Sequence, residues 1–115
     1  ADLTGSNLNG SYLPGANLHD ANLSAAGMIN VHLHYAILND ANLNSADLSG
    51  ANLTYATLTG ADLSDTILFS ADLSGANLTY ATLTGADLSG TIWYDTTCPD
   101  GTNSDNNGNT CENNF

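Results

Sequence analysis

Hydrophobic and polar positions alternate along this chain in units of five residues. Between Ala1 and Asp95 the sequence divides into nineteen consecutive five-residue cells without an insertion. The third position of a cell is Leu in seventeen cells, and the first position is Ala in fourteen. Because one polar position separates these two apolar ones, both side chains face the same side of a short strand. The pattern therefore predicts very short strands with one apolar face.

The polar positions predict where the chain turns. The second position is Asp or Asn in eleven cells, and the fourth and fifth are mostly Ser, Thr, Gly, Asn or Tyr. Gly, Asn, Asp and Ser are typical of turns. When turns of this kind stack, they bury a column of Leu beside a column of Ala. We therefore predict an all-β solenoid with a narrow apolar interior.

The cells ADLSG, ANLTY, ATLTG and ADLSD resemble the repeats of the pentapeptide repeat family. The resemblance extends over residues 1–95, about four-fifths of the chain. It implies a right-handed quadrilateral β-helix with four cells per coil, so nineteen cells make about 4.75 coils. At about 4.8 Å per stacked strand, such a rod is about 23 Å long.

A longer repeat overlies the cells. Residues 46–70 recur at residues 71–95 with four differences. The copied unit holds five cells, one more than the coil that the resemblance implies. Copied side chains such as Tyr55 and Tyr80 are therefore expected on neighbouring faces of the rod.

The remaining residues, 96–115, form a tail rich in Asn, Asp and Gly. A solenoid end exposes strand edges and apolar surface, so we expect the tail to cap the rod beside Trp93. Cys98 and Cys111 are the only cysteines, and a disulfide between them would contribute roughly 3 kcal/mol. Paired cysteines favour an extracytoplasmic location (periplasm, lumen or secreted), with two free thiols as the alternative.

The tail also contains a run, N-x-D-x-N-G, that is similar to the start of a calcium-binding loop. It makes calcium candidates of Asp100, Asn103, Asp105 and Asn107. Asn114 stands at the twelfth position from Asn103, where such a loop has a bidentate Glu. Asn-rich turns that bond their own backbone explain the same letters. No other cofactor is expected.

The net charge of the chain excludes several classes of binding partner. The chain has no Lys or Arg and a formal net charge of −12. Nucleic acids and anionic membranes both attract Lys and Arg, so neither is an expected partner. No apolar run approaches the ~20 residues that a membrane span needs. Because high net charge opposes association, we expect a monomer or a weak homodimer.

One face is the candidate contact surface. In the four-cell register the residues that share it are Tyr12, His32, His34, Tyr35, Tyr55 and Tyr94. Tyr35 and Tyr55 are twenty residues apart and should stack, either as part of a contact surface or as a ladder that only stabilises the coil. His32 and His34 could bind a transition metal only with a third ligand, and His19 falls on another face.

These observations favour a non-enzymatic structural or protein-interaction module, exported, with an unknown protein partner. No nucleophile elbow, phosphate loop or paired Glu set is present. The family resemblance implies an alternative, since some members mimic duplex DNA and bind DNA gyrase in quinolone resistance. Ice binding through outward T-x-T pairs is a further alternative, but Thr57 and Thr82 fall on neighbouring faces and break the array.

Overall fold

Parallel pairing at a spacing of twenty residues organises the chain. In the computed structural model, which describes residues 1–113, four ladders of parallel bridges link residues twenty positions apart. The four ladders begin at Asp2, Asn7, Tyr12 and Asn17, each the second residue of a cell. Four cells therefore complete one coil, and each cell contributes to one of four faces.

Within each cell the extended part is short because hydrogen bonds close a turn directly after it. The Leu23 N–H donates to the carbonyl of Asn42 in the next coil at 2.7 Å. The Ala26 N–H then donates back to the carbonyl of Leu23 at 3.1 Å and closes the turn. Asp or Asn at the second position supports this turn, as where Asp62 Oδ1 accepts from the Ser64 N–H at 3.0 Å.

The fifth position of every cell from residue 5 to residue 95 has a left-handed backbone, with φ between 51° and 76°. Gly, Asn and Asp adopt this conformation at low cost. Tyr35, Tyr55 and Tyr80 are bulky residues in the same conformation, with φ of 61°, 58° and 62°. A left-handed backbone is uncommon for a bulky residue and stores strain.

The interior consists of the Leu and Ala columns. Every third-position side chain from Leu23 to Leu78 has a relative exposure of 0%. The first-coil residues Leu3, Leu8, Leu13 and Leu18 are only partly buried, because a coil covers them on one side alone. Each fully buried Leu contributes about 1.5–3 kcal/mol relative to an exposed one, so the central coils supply most of the hydrophobic stabilisation.

The stacking continues one cell beyond the predicted boundary at residue 95. Thr97 forms a parallel bridge with Asn77, and Thr96 and Cys98 occupy the first and third positions of this added cell. Both side chains are fully buried. The Leu/Ala pattern does not reveal this cell, because Thr and Cys take the interior positions that Ala and Leu occupy in other cells.

The rest of the described tail folds back over the end of the rod. Asn103 pairs antiparallel with Thr97, and a 3₁₀ helix spans Ser104–Asn106. The Ser104 hydroxyl donates to the carbonyl of buried Trp93 and accepts from the Thr96 N–H at 3.0 Å. The whole molecule measures 36 × 24 × 21 Å. None of the described residues belongs to a helix that is long and apolar enough to cross a bilayer.

Candidate contact face

Four of the candidate residues form an aromatic cluster near the N-terminal end of one face. The ring centroid of Tyr12 lies 5.5 Å from that of His32 and 5.9 Å from that of His34. The centroid of His34 lies 6.0 Å from that of Tyr35, with the rings edge to face. This arrangement is one that aromatic pairs prefer, so the cluster also stiffens the first coils.

Tyr35 continues the cluster into a ladder. Its ring stacks on that of Tyr55, with centroids 5.2 Å apart and planes 10° from parallel. The ring of Tyr55 in turn lies over Gly75, where an added Cβ would come within 2.5 Å of it. The ladder therefore ends at Gly75, whose missing side chain leaves room for the ring.

The structure does not bring Tyr94 into this group. Tyr94 lies on the same face but in the last coils, and none of the ring contacts among residues 1–113 involves it. We use the name aromatic face for Tyr12, His32, His34, Tyr35 and Tyr55. The three tyrosines of the aromatic face are exposed to solvent.

Among residues 1–113, the two histidines of the aromatic face lie close together without a third metal ligand. Their ring centroids are 6.5 Å apart. Among the described residues, the one group of three or more His, Cys, Asp or Glu that could hold a metal ion lies elsewhere, at His19, Asp20 and Asp40. Nδ1 of His34 is buried and has no hydrogen-bond partner within the part of the chain that the structure describes.

The predicted calcium candidates take part in hydrogen bonds that shape the tail. Asp100 Oδ1 accepts from the Thr102 N–H and hydroxyl at 3.0 and 2.6 Å. Asn103 Oδ1 caps the 3₁₀ helix by accepting from the Asp105 N–H at 2.8 Å. Asp105 Oδ1 accepts from the Asp95 N–H at 2.9 Å. Asn107 Nδ2 donates to the Thr102 hydroxyl at 2.6 Å. Asn114 lies outside the described residues.

The predicted disulfide joins Cys98 to Cys111, with Cα atoms 5.3 Å apart. Both cysteines are fully buried. The bond therefore ties the last described part of the tail to the third-position column of the solenoid.

The acidic side chains are spread around the rod. Asp2 and Asp62 lie on one ladder, Asp47 and Asp87 on the next, and Asp72 on the third. Hydrogen bonds from the Thr4 hydroxyl and N–H lower the pKa of Asp2. Hydrogen bonds from the side chain and backbone of Ser89 lower the pKa of Asp87 in the same way.

No cavity that could enclose a small ligand is present among residues 1–113. Sequence reasoning placed the residues of the aromatic face on one side of the rod, as the bridge ladders do, but missed the strain of the tyrosines. The available signal was the fifth position itself, where Tyr replaces the Gly, Asn and Asp that a left-handed backbone favours.

Solved structures of other proteins share this arrangement. A pentapeptide repeat protein from the thylakoid lumen of Arabidopsis thaliana is 29% identical, with a TM-score of 0.80, over 83% of this chain and 66% of that protein. The match therefore spans about two-thirds of the length of that protein. Rfr23, a pentapeptide repeat protein from the cyanobacterium Cyanothece, is 32% identical, with a TM-score of 0.59, over 83% of this chain and 85% of its own.

A likeness to the plasmid-mediated fluoroquinolone resistance protein QnrB1 is weaker. The identity is 16% and the TM-score 0.42, over 82% of this chain and 63% of that protein, so it carries no argument about function. No curated protein sequence matches the chain significantly.

The family model for pentapeptide repeats matches in eight copies, over residues 1–37, 26–65 and 66–92. These ranges cover most of the twenty-residue coils described above. Together with the two pentapeptide repeat structures, they imply that the coils form a right-handed quadrilateral β-helix. The chain belongs to the pentapeptide repeat family.

Proposed function

We propose that this chain is a non-enzymatic protein-interaction module that presents a rigid, acidic rod and binds a partner protein through the aromatic face. The observation that carries the proposal is the pair Tyr35 and Tyr55. Both are exposed, stacked, and held in a left-handed backbone that is strained for tyrosine. Backbone strain clusters at functional sites. Tyr80 shares the strain but stacks on no other tyrosine among residues 1–113, so it is the stacked pair that carries the proposal.

The rod supports this function because its surface is preorganised. The backbone beneath the aromatic face is fixed on both sides by bridges, from Tyr12 to His32 and from His32 to Asn52. The Tyr35–Tyr55 stack also limits the motion of the two rings. A partner that binds such a surface orders few new side chains, and this saves much of the entropy that association costs.

The negative charge of the chain indicates what kind of protein surface it binds. With a net charge of −12 and no Lys or Arg, the chain repels acidic proteins and attracts basic ones. Tyrosine is common in the central part of protein interfaces, and aromatic rings attract Lys and Arg side chains. We therefore infer a partner whose contact surface is basic, with an association rate that falls as salt is added.

We also propose that the protein functions in an oxidising compartment outside the cytoplasm. The Cys98–Cys111 disulfide supports this location, because such bonds persist where thiols are not kept reduced. The thylakoid lumen origin of one relative supports it as well. The test is the intact mass of the native protein before and after reduction, where a gain of about two mass units marks the bond. Free thiols in the native protein would contradict it.

DNA mimicry at gyrase is the competing function, and the net charge is its support. A mimic of duplex DNA needs carboxylates in rows along one side, whereas the Asp residues here are distributed over all four faces. A gyrase supercoiling assay distinguishes the two functions. Inhibition or protection of gyrase by the purified chain would replace the present proposal.

The aromatic face is tested by a double variant, Tyr35→Ser with Tyr55→Ser. Serine occupies the same left-handed position at Ser45 and Ser70, so the backbone accepts it. Tyr80→Ser is the matched control, because Tyr80 has the same position and conformation but lies on another face. Proteins from the source extract are captured on each variant, and their binding is measured as salt is increased.

We expect a basic protein to be retained by the unmodified chain and by Tyr80→Ser, and lost from the double variant. Equal retention by all three would move the contact away from the aromatic face. Absence of any salt-sensitive partner would support a purely structural role for the aromatic ladder.

A further inference from the structure

A second cluster of side chains lies on the face whose ladder begins at Asn17. It contains His19, Asp20 and Asp40, each of which offers one ligand atom within 4.8 Å of the others. His19 Nε2 lies 3.2 Å from Asp20 Oδ2. The cluster is separate from the aromatic face, because a cell of this chain contributes to only one face and these residues belong to the cells 16–20 and 36–40.

The solenoid register makes this place unusual. Asp20 and Asp40 are the only two Asp residues in the sequence that are twenty positions apart, so they alone stack in the same position of successive coils. Like charges directly opposite each other on neighbouring strands repel. The chain has no Lys or Arg that could compensate them. A bound cation is the remaining source of positive charge beyond His19 itself.

His19 is oriented as a metal ligand is. Its Nδ1 lies 2.9 Å from the backbone carbonyl of Asn39. A carbonyl can only accept a hydrogen bond, so Nδ1 donates to it, and Nε2 is the ring nitrogen that lies beside the Asp20 carboxylate. Metal-binding histidines almost always donate their other ring N–H to a carbonyl or carboxylate in this way, which fixes both the tautomer and the ring direction.

We propose that His19, Asp20 and Asp40 bind one divalent transition-metal ion, with Zn²⁺ as the best match. His19 Nε2 and one oxygen from each carboxylate supply three ligands, and water supplies the rest. Zn²⁺ binds ligands at about 2.0–2.2 Å, which puts neighbouring ligand atoms of a tetrahedral site about 3.4 Å apart. The 3.2 Å between His19 Nε2 and Asp20 Oδ2 already fits this spacing. The exposed side chains of His19 and Asp20, at 51% and 69%, can complete the coordination with Asp40 by small rotations without disturbing the core.

The donor set explains the choice of metal. An imidazole nitrogen favours Zn²⁺ and neighbouring transition metals, whereas Ca²⁺ and Mg²⁺ prefer oxygen ligands alone. Metal binding would join two successive coils through Asp20 and Asp40. Coordination of one ion by both carboxylates would also offset the repulsion between them.

The test is calorimetric titration of the full chain with Zn²⁺ alone. Two variants remove ligands, His19→Gln and Asp40→Asn. The matched control is Asp65→Asn: Asp65 also occupies a fifth position, has a φ of 55° against 58° for Asp40, and packs over a glycine as Asp40 does. It has no stacked Asp in either neighbouring coil. A second control, His32→Gln with His34→Gln, removes the other two histidines.

We expect one Zn²⁺ per chain, with affinity reduced about ten-fold or more by His19→Gln and by Asp40→Asn. Asp65→Asn and the His32/His34 variant should bind within about two-fold of the unmodified chain, since neither touches the cluster. If Asp65→Asn weakened Zn²⁺ binding as much as Asp40→Asn does, the binding would be due to the net negative charge of the chain rather than to this site. Undiminished binding by His19→Gln, or none by the unmodified chain, would overturn the site.

Discussion

Residues 46–70 and 71–95 have nearly the same sequence and yet differ in how deeply their side chains are buried. Leu63 in the first copy is fully buried, whereas its counterpart Leu88 in the second copy is only partly buried. The reason lies outside either copy. Leu63 lies between the coils of Leu43 and Leu83, whereas the cell that would stack on Leu88 belongs to the tail rather than to the bridge ladders.

The copied tyrosines differ in the same way. Tyr55 is 56% exposed and stacks on Tyr35, while Tyr80 is 81% exposed. In the column of Tyr80, the residues twenty positions away are Gly60 and Asp100 rather than a second tyrosine. In this fold the neighbours of a side chain are set by the coil register, so identical local sequences acquire different roles.

The largest expected effect contrasts the two leucines. Leu63→Ala should lower the free energy of unfolding by about 2–5 kcal/mol, because it leaves a cavity in a column that coils close on both sides. Leu88→Ala should cost about half as much, since part of that side chain is already in water. Chemical denaturation of both variants measures the difference. Equal losses would show that the tail covers Leu88 as fully as a coil would.

Reduction of the disulfide should destabilise the second copy more than the first. By closing a loop, the Cys98–Cys111 disulfide contributes roughly 3 kcal/mol to the free energy of unfolding. Cys98 lies in the coil that stacks directly on the second copy. We expect hydrogen exchange after reduction to rise most in residues 71–95 and least in residues 46–70. A uniform rise along the chain would instead indicate that the rod unfolds as one unit.

The repeat length and the Leu/Ala alternation predicted stacked short turns around a narrow apolar interior. The coil of four cells, which the twenty-residue bridges match, was implied by the resemblance to the pentapeptide repeat family. The stack of Tyr35 on Tyr55 was also predictable, because it depends only on register.

The end of the rod and the metal cluster were less accessible to sequence reasoning. Thr96 and Cys98 continue the solenoid without the Ala and Leu of the other cells, so the sequence pattern placed the end of the solenoid one cell too early. The proximity of His19 to Asp40 depends on the rotamers of exposed side chains, which a repeat pattern does not specify. The cap depends on contacts such as Ser104 with Trp93, between segments of unrelated pattern.

A smaller effect separates the copied tyrosines. Tyr80→Gly should raise the free energy of unfolding by about 0.5–1 kcal/mol, because it relieves a left-handed tyrosine and loses no stacked ring. Tyr55→Gly should give little net change, since loss of the stack, worth about 0.5–1.5 kcal/mol, offsets the same relief. Thermal unfolding of the two variants provides the measurement. The same shift in both would mean that the Tyr35–Tyr55 stack adds nothing to stability.

The smallest effect concerns acid. Asp87, the second-copy counterpart of Asp62, has a lowered pKa because Ser89 donates to its carboxylate through its side chain and its N–H. A carboxylate with a folded-state pKa below its unfolded value stabilises the protein above about pH 4 and loses this contribution as the pH falls further. Asp87→Asn removes the titrating group but keeps an oxygen that can accept from Ser89. We therefore expect the fall in melting temperature between pH 5 and pH 2 to be shallower in Asp87→Asn than in the unmodified chain, and an identical fall would mean that these hydrogen bonds do not favour the charged form.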